Sequence, residues 1–175
     1  YDKAKEEYLQ FYENIEPMSA EDFKDWAESH NCGILENGLD FKGGIADISE
    51  VDGRLLSITA ERYDELFERY PDVLTYRQQF MKRMGHEGNF KFEFGYAPNE
   101  SFSAEASNGL VFGSSGKNIK DFALEKWNMA QDNYLIKGKG RLTQVIDHEF
   151  GHNVQNAIAE KYDIGSFTFH SECYR

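Results

Sequence analysis

The chain has 175 residues, 40% hydrophobic and 15% aromatic, which suffices for one sizeable core and is too apolar for a disordered acidic tail. Nineteen Lys and Arg against 31 Asp and Glu give a net charge of −12, which repels phosphate backbones and anionic lipid and argues against nucleic-acid and membrane-surface partners. No run of apolar residues is long enough to span a bilayer, and two cysteines, Cys32 and Cys173, exclude a disulfide scaffold and a four-cysteine zinc module while fitting either redox compartment.

A start at Tyr1 rather than Met and a stop at Arg175 read as an excerpt or a processed form of a single domain, with a helical extension over 1–39 and a core over 40–175. Residues 1–31 predict two short acidic helices. Ser19 with Asp22 three residues on opens the second, Phe23, Trp26 and Ala27 give its apolar stripe, and Asn31 and Gly33 stop it. From Gly33 to Gly53 the composition predicts loop, with one short strand at 44–48. Thr59 is the predicted cap of a helix running to Tyr70 with Leu66, Phe67 and Tyr70 inward; after Pro71 a second helix turns Leu74, Phe80, Met81 and Met84 inward. In Phe90–Tyr96 four aromatics alternate with other residues, a period of two that puts the rings on one face of a core strand.

Asn108-Gly109 between Ala104–Ser107 and Leu110–Phe112 suits a two-residue hairpin turn. Asn118 with Asp121 opens a helix carrying Ile119, Phe122, Ala123, Trp127 and Ala130 inward, and a long final helix runs from Leu142 to about Tyr162. Helices first, then a small antiparallel or mixed sheet with helices packed on one side, make the fold class α+β.

The final helix contains His148-Glu149-Phe150-Gly151-His152, the H-E-x-x-H pattern. Imidazoles four residues apart project about 40° from each other one turn apart, so both reach a single ion. Imidazole nitrogen suits Zn²⁺, and Glu149 beside the first histidine is placed to accept a proton rather than to bind metal. Leu142, Ile146, Phe150, Val154 and Ala157 form the predicted buried stripe with Ile158 at its side; the histidines fall opposite, flanked by Val145 and Ala159, with Glu149 between. Gly151, lacking a side chain, leaves room for another backbone element to approach.

The stretch Val145–Val154 resembles the active-site helix of zincin metallopeptidases, and its His-Glu-Phe-Gly-His form is similar to lethal-factor-type domains and to metallopeptidase-like domains of phage head proteins and phage-derived toxins. Asn108–Phe112 is similar to the segment such domains use as an edge strand above the cleft. The resemblance implies a zincin-like fold, zinc held by His148 and His152, water activated by Glu149, and peptide-bond hydrolysis, with substrate extended along Leu110–Phe112.

Gln155 and Ile158 stand where a metzincin needs glycine and histidine, which excludes that class. A gluzincin takes its third ligand from a later glutamate; Glu172 follows His152 after nineteen residues, and His170, Asp163 or a residue beyond Arg175 are the alternatives. Tyr134, Tyr162 and Tyr174 are candidate donors to an oxyanion, and His30 and His86 read as turn or capping residues. The expected function is a zinc-dependent endopeptidase acting on a basic or neutral polypeptide. The alternatives are a structural or interaction module of a phage head protein or toxin that keeps the zinc site with little turnover, and a metal-dependent hydrolase of another substrate class.

Overall fold

The computed structural model describes residues 2–35, 47–86, 89–94, 104–105, 109–112, 119–120, 123–124, 127–128 and 142–163. The acidic N-terminal segment folds as α1 (Asp2–Glu13) and α2 (Ala20–Ser29). Ser19 Oγ accepts the Asp22 amide at 3.0 Å to cap α2, which buries Phe23 and Ala27 and stops where Asn31 takes the left-handed conformation at φ 57°. Gly33–Ile34 then forms a strand, β1, where the composition predicts loop. Ile48, expected at the end of a strand, instead opens a 3₁₀ turn capped by Asp47; positions 44–46 lie outside the described residues.

α3 (Gly53–Arg69) begins six residues before the predicted cap. Thr59 is buried mid-helix, its hydroxyl donating to the Leu55 carbonyl at 2.7 Å, a local bond that satisfies a threonine without ending the helix. The true cap is Asp52. Its Oδ1 accepts the Arg54 amide at 3.0 Å and its Oδ2 accepts the Ile119 amide at 2.9 Å, so one carboxylate serves two segments. The second of these is helical at residues 119–120, 123–124 and 127–128 and buries Ile119, Ala123 and Trp127 as expected. Gly53 is required at the start of α3, because an added Cβ would lie 2.6 Å from the Met18 carbonyl oxygen.

Tyr70 leaves the helical region at φ −128° and ψ 67°, in keeping with the bar that Pro71 sets on helix at the residue before it, and α4 (Val73–Arg83) follows. Leu66, Phe67 and Phe80 are buried as predicted, whereas Tyr70 and Met84 are 44% and 46% exposed. Both sit one residue past a helix end, where the helical period no longer sets direction.

β2 (Lys91–Phe94) buries Phe92 and Phe94, with Phe90 just before it, and also buries Glu93 on the alternate face; Tyr96 lies outside the described residues. The described strands form a four-stranded sheet in the order β1-β2-β4-β3, with β3 at Ala104–Glu105 and β4 at Gly109–Phe112. It is mixed rather than antiparallel: β1 and β4 both run parallel to β2, and only β3 runs antiparallel to β4. Parallel neighbours follow from the long connections that return each strand to β2.

Glu105 pairs with Val111, one residue out of step with a two-residue Asn108-Gly109 turn, which would bring Glu105 opposite Phe112. Gly109 belongs to β4 instead, opposite Lys91. β4 is paired on both sides, so Leu110–Phe112 is internal, and β1 and β3 are the two edges among the described strands.

The final helix, α5, spans Leu142–Lys161 and lies against α4, α3, β4 and β3. Tyr12, Phe23 and Ala27 share one buried cluster with the α3, β2 and α5 side chains, and β1 is a strand of the sheet, so residues 2–35 are integral to the core rather than an extension beside it. No described helix is long and apolar enough to cross a membrane.

Burial disfavours the Asp52 charge, but hydrogen bonds from the Arg54 side chain, the Ile119 amide and the Arg54 amide outweigh it and hold its carboxyl below the ordinary range. Asp52→Ala is expected to cost about 2 kcal/mol and lower Tm by about 5 °C. A depressed carboxyl gives its full contribution above about pH 4 and loses it as acid protonates the folded form. Thermal melts of Asp52→Asn should therefore fall less steeply between about pH 5 and pH 2 than those of the parent.

Candidate metal centre

The buried arc of α5 comprises Val145, Ile146, Glu149, Phe150, Asn153, Ala157 and Ala159. Its centre is Asn153, about 100° around the axis from Val154, which lies within the predicted stripe but is only half-buried. An apolar pattern cannot register Glu149 and Asn153 as inward positions, and that omission accounts for the rotation. His148 and His152 lie at one margin of the arc, the first exposed and the second half-buried. Val145 and Ala159 flank them from the covered side.

The two imidazole centroids are 5.0 Å apart with planes at 83°. Partial desolvation, and then the neighbouring His152, hold the His148 ring below its ordinary range, so it is neutral with a lone pair available near pH 7. His152 Nδ1 lies 3.1 Å from Gln155 Oε1. With the amide oxygen accepting, the ring proton sits on Nδ1 and Nε2 presents its lone pair, the orientation that outer-shell partners give to metal-binding histidines. Glu149, between them in sequence, is only 8% exposed.

Polar contacts anchor this stretch to the rest of the fold. Asp147 accepts from Arg62 Nε at 2.7 Å and Nη2 at 2.9 Å, a two-pronged pair that ties the residue before His148 to α3. On the covered side, Arg77 Nε donates to Asn153 Oδ1 at 2.9 Å, and Asn153 Nδ2 donates to the Glu149 carbonyl oxygen at 3.1 Å. Sequence reasoning missed both Arg77 and Asn153. The spacing Val73-Arg77-Phe80, at i, i+4 and i+7, was the available signal, since it puts Arg77 inside a buried stripe.

Tyr63 is wholly buried and its hydroxyl has no hydrogen-bond partner among the described residues. Burial first, then the charge of Glu149, raise its pKa well above the ordinary value, so it stays protonated. Burial pushes the Cys32 thiol up to about 12, which makes it a packing group and not a nucleophile.

The donor chemistry of His148 and His152 fits a borderline-soft divalent ion such as Zn²⁺. Among the described residues no third His, Cys, Asp or Glu joins them. Glu172 and His170 lie outside the described residues, as do Tyr134, Tyr174 and Cys173. Asp163 is described and follows the far end of α5, whose nine steps from His152 to Lys161 rise about 13 Å, so it is no partner for His152. Tyr162, 64% exposed at the same end, is likewise too far to serve an oxyanion. His30 caps α2 and its Nε2 lies 3.1 Å from Asp64, and His86 sits in an exposed turn, as expected for both. A Cβ added at Gly151 would meet no described atom within 4 Å, so no described backbone makes the close approach expected there.

No family model, curated protein or solved structure matches the chain.

Gln155→Ala should weaken zinc binding about tenfold by releasing the His152 ring, and His148→Ala should weaken it far more by removing a donor. Competition titration with a chromophoric chelator measures both; equal affinities for the two variants and the parent would remove the pair from the site.

Proposed function

We propose that the chain is a zinc-dependent endopeptidase domain of gluzincin-like type, built on a zincin-like version of the α+β fold. The observation that carries this reading is the pairing of His148 and His152 on one margin of α5, one turn apart, with the buried Glu149 carboxylate in the same turn. The neutral His148 ring and the Gln155 contact to His152 support it, because each leaves a nitrogen lone pair ready for a cation.

His152 would hold the metal through Nε2, with His148 as its companion and Glu172 as the proposed third ligand; His170 and a residue beyond Arg175 are the alternatives. When bound, zinc supplies Lewis acidity, polarising the scissile carbonyl and acidifying water. Glu149 takes a proton from the attacking water on its carboxylate and delivers it to the amine nitrogen of the departing peptide. Burial of Glu149 against α5's covered side limits competing solvent at that carboxylate.

The substrate class is an extended polypeptide that adds its main chain to a sheet edge. Because β4 is paired on both sides, the proposed edge is β3, which packs with β4 over α5.

Unfolded casein incubated with the zinc-loaded chain should be cleaved, and a chelator should abolish cleavage. Glu149→Gln should retain one equivalent of zinc while losing activity by about a hundredfold or more. One bound zinc with no chelator-sensitive cleavage would replace this reading with a zinc-holding structural or interaction module. Loss of zinc from Glu149→Gln would make Glu149 a ligand instead of a base.

A further inference from the structure

Arg77 is a charge in a place where apolar packing would serve folding more simply. It lies on α4 between Val73 and Phe80, is wholly buried, and holds its guanidinium carbon 5.3 Å from the centre of the Phe90 ring. Buried ionic groups replaced by apolar ones of similar volume often leave stability unchanged or raised, so stability alone does not call for an arginine here.

A hydrogen-bonded line supplies what an apolar surface lacks, namely direction. Packed methyl groups tolerate small rotations and slides, whereas an N–H···O bond weakens steeply as its angle closes. The line from Arg77 through Asn153 to the Glu149 carbonyl, with its steps of 2.9 and 3.1 Å, engages the same turn of α5 that carries Glu149 and His152. Side-chain tips stand about 5–6 Å from a helix axis, so a rotation of about 10° moves them about 1 Å. A displacement of that order at a reacting centre costs about a hundredfold in rate.

The geometry points to Arg77 and Asn153 as positioning residues that fix the rotation of α5 about its axis, and with it the aim of His148, His152 and the Glu149 carboxylate. This role rests on the peptidase reading of the same site. Arg62 and Asp147 hold the preceding turn to α3 on a partly exposed face, so the two contacts grip the helix from different sides.

The test compares the parent chain with Arg77→Met and with the double variant Arg77→Met/Asn153→Leu, in which both members of the Arg77–Asn153 bond are removed together. Thermal unfolding, zinc affinity by chelator competition, and kcat and KM on casein are measured for each. The double variant is expected to melt within a few degrees of the parent, bind zinc about tenfold more weakly, and lose at least tenfold in kcat with KM changed less than twofold. A folded variant of either kind with zinc affinity and kcat within twofold of the parent overturns the positioning role. Failure of both variants to fold overturns it too, by assigning the pair to stability. A parent that binds no zinc defeats the peptidase reading and this role together, whereas a zinc-binding parent with unaffected variants defeats this role alone.

Discussion

Tyr63, Phe92 and Phe150 bring α3, β2 and α5 into contact. The Tyr63 ring meets Phe92 edge-on at 5.1 Å and Phe150 edge-on at 5.9 Å. All three residues are essentially removed from solvent. Burying each such side chain contributes about 2–3 kcal/mol, and the edge-to-face arrangement adds a geometric preference that plain area does not. The sheet, the central helix and the histidine-bearing helix are therefore registered through aromatic contact first. Polar contacts then refine an arrangement that burial has already made compact.

The circumference of α5 is divided into unlike sectors. One is apolar and set against α4 and the sheet, one is buried yet polar around Glu149 and Asn153, and one carries the two histidines at the margin of solvent. Two of the arginines that touch this helix differ in kind as well. Arg62 grips Asp147 on a partly exposed face, where such pairs contribute modestly. Arg77 is wholly enclosed, and burial presses its pKa down to about 10, which still leaves it charged at neutral pH. A charge kept in that setting narrows the orientations its neighbours can adopt, because few of them give it an acceptor.

Much of this arrangement was legible in the chain. The ends of α2 and α5, the aromatic strand and the histidine pair all follow from spacing that has one geometric meaning. The failures share a cause: a residue type compatible with two roles. Thr59 caps helices or bonds back within them, and only the Asp52 contacts reveal that the start lies earlier. Asn108-Gly109 favours a tight turn, but its glycine is taken by pairing with Lys91 of β2, eighteen positions away, which local spacing cannot see. Tyr70 and Met84 obey the helical period up to the point where the helix has ended. Asn153 and Arg77 are polar residues at inward positions, invisible to any method that equates inward with apolar.

The parallel pairing of β1 with β2 joins Gly33 to Lys91, positions almost sixty residues apart. Such a contact closes late, because the intervening chain must surrender its freedom before the pairing rewards it. Until then one side of β2, the strand richest in phenylalanine, offers bare amide and carbonyl groups to any neighbour that can match them. Refolding yield should consequently depend on protein concentration, and a chain shortened past Ile34 would keep that vulnerable edge permanently open.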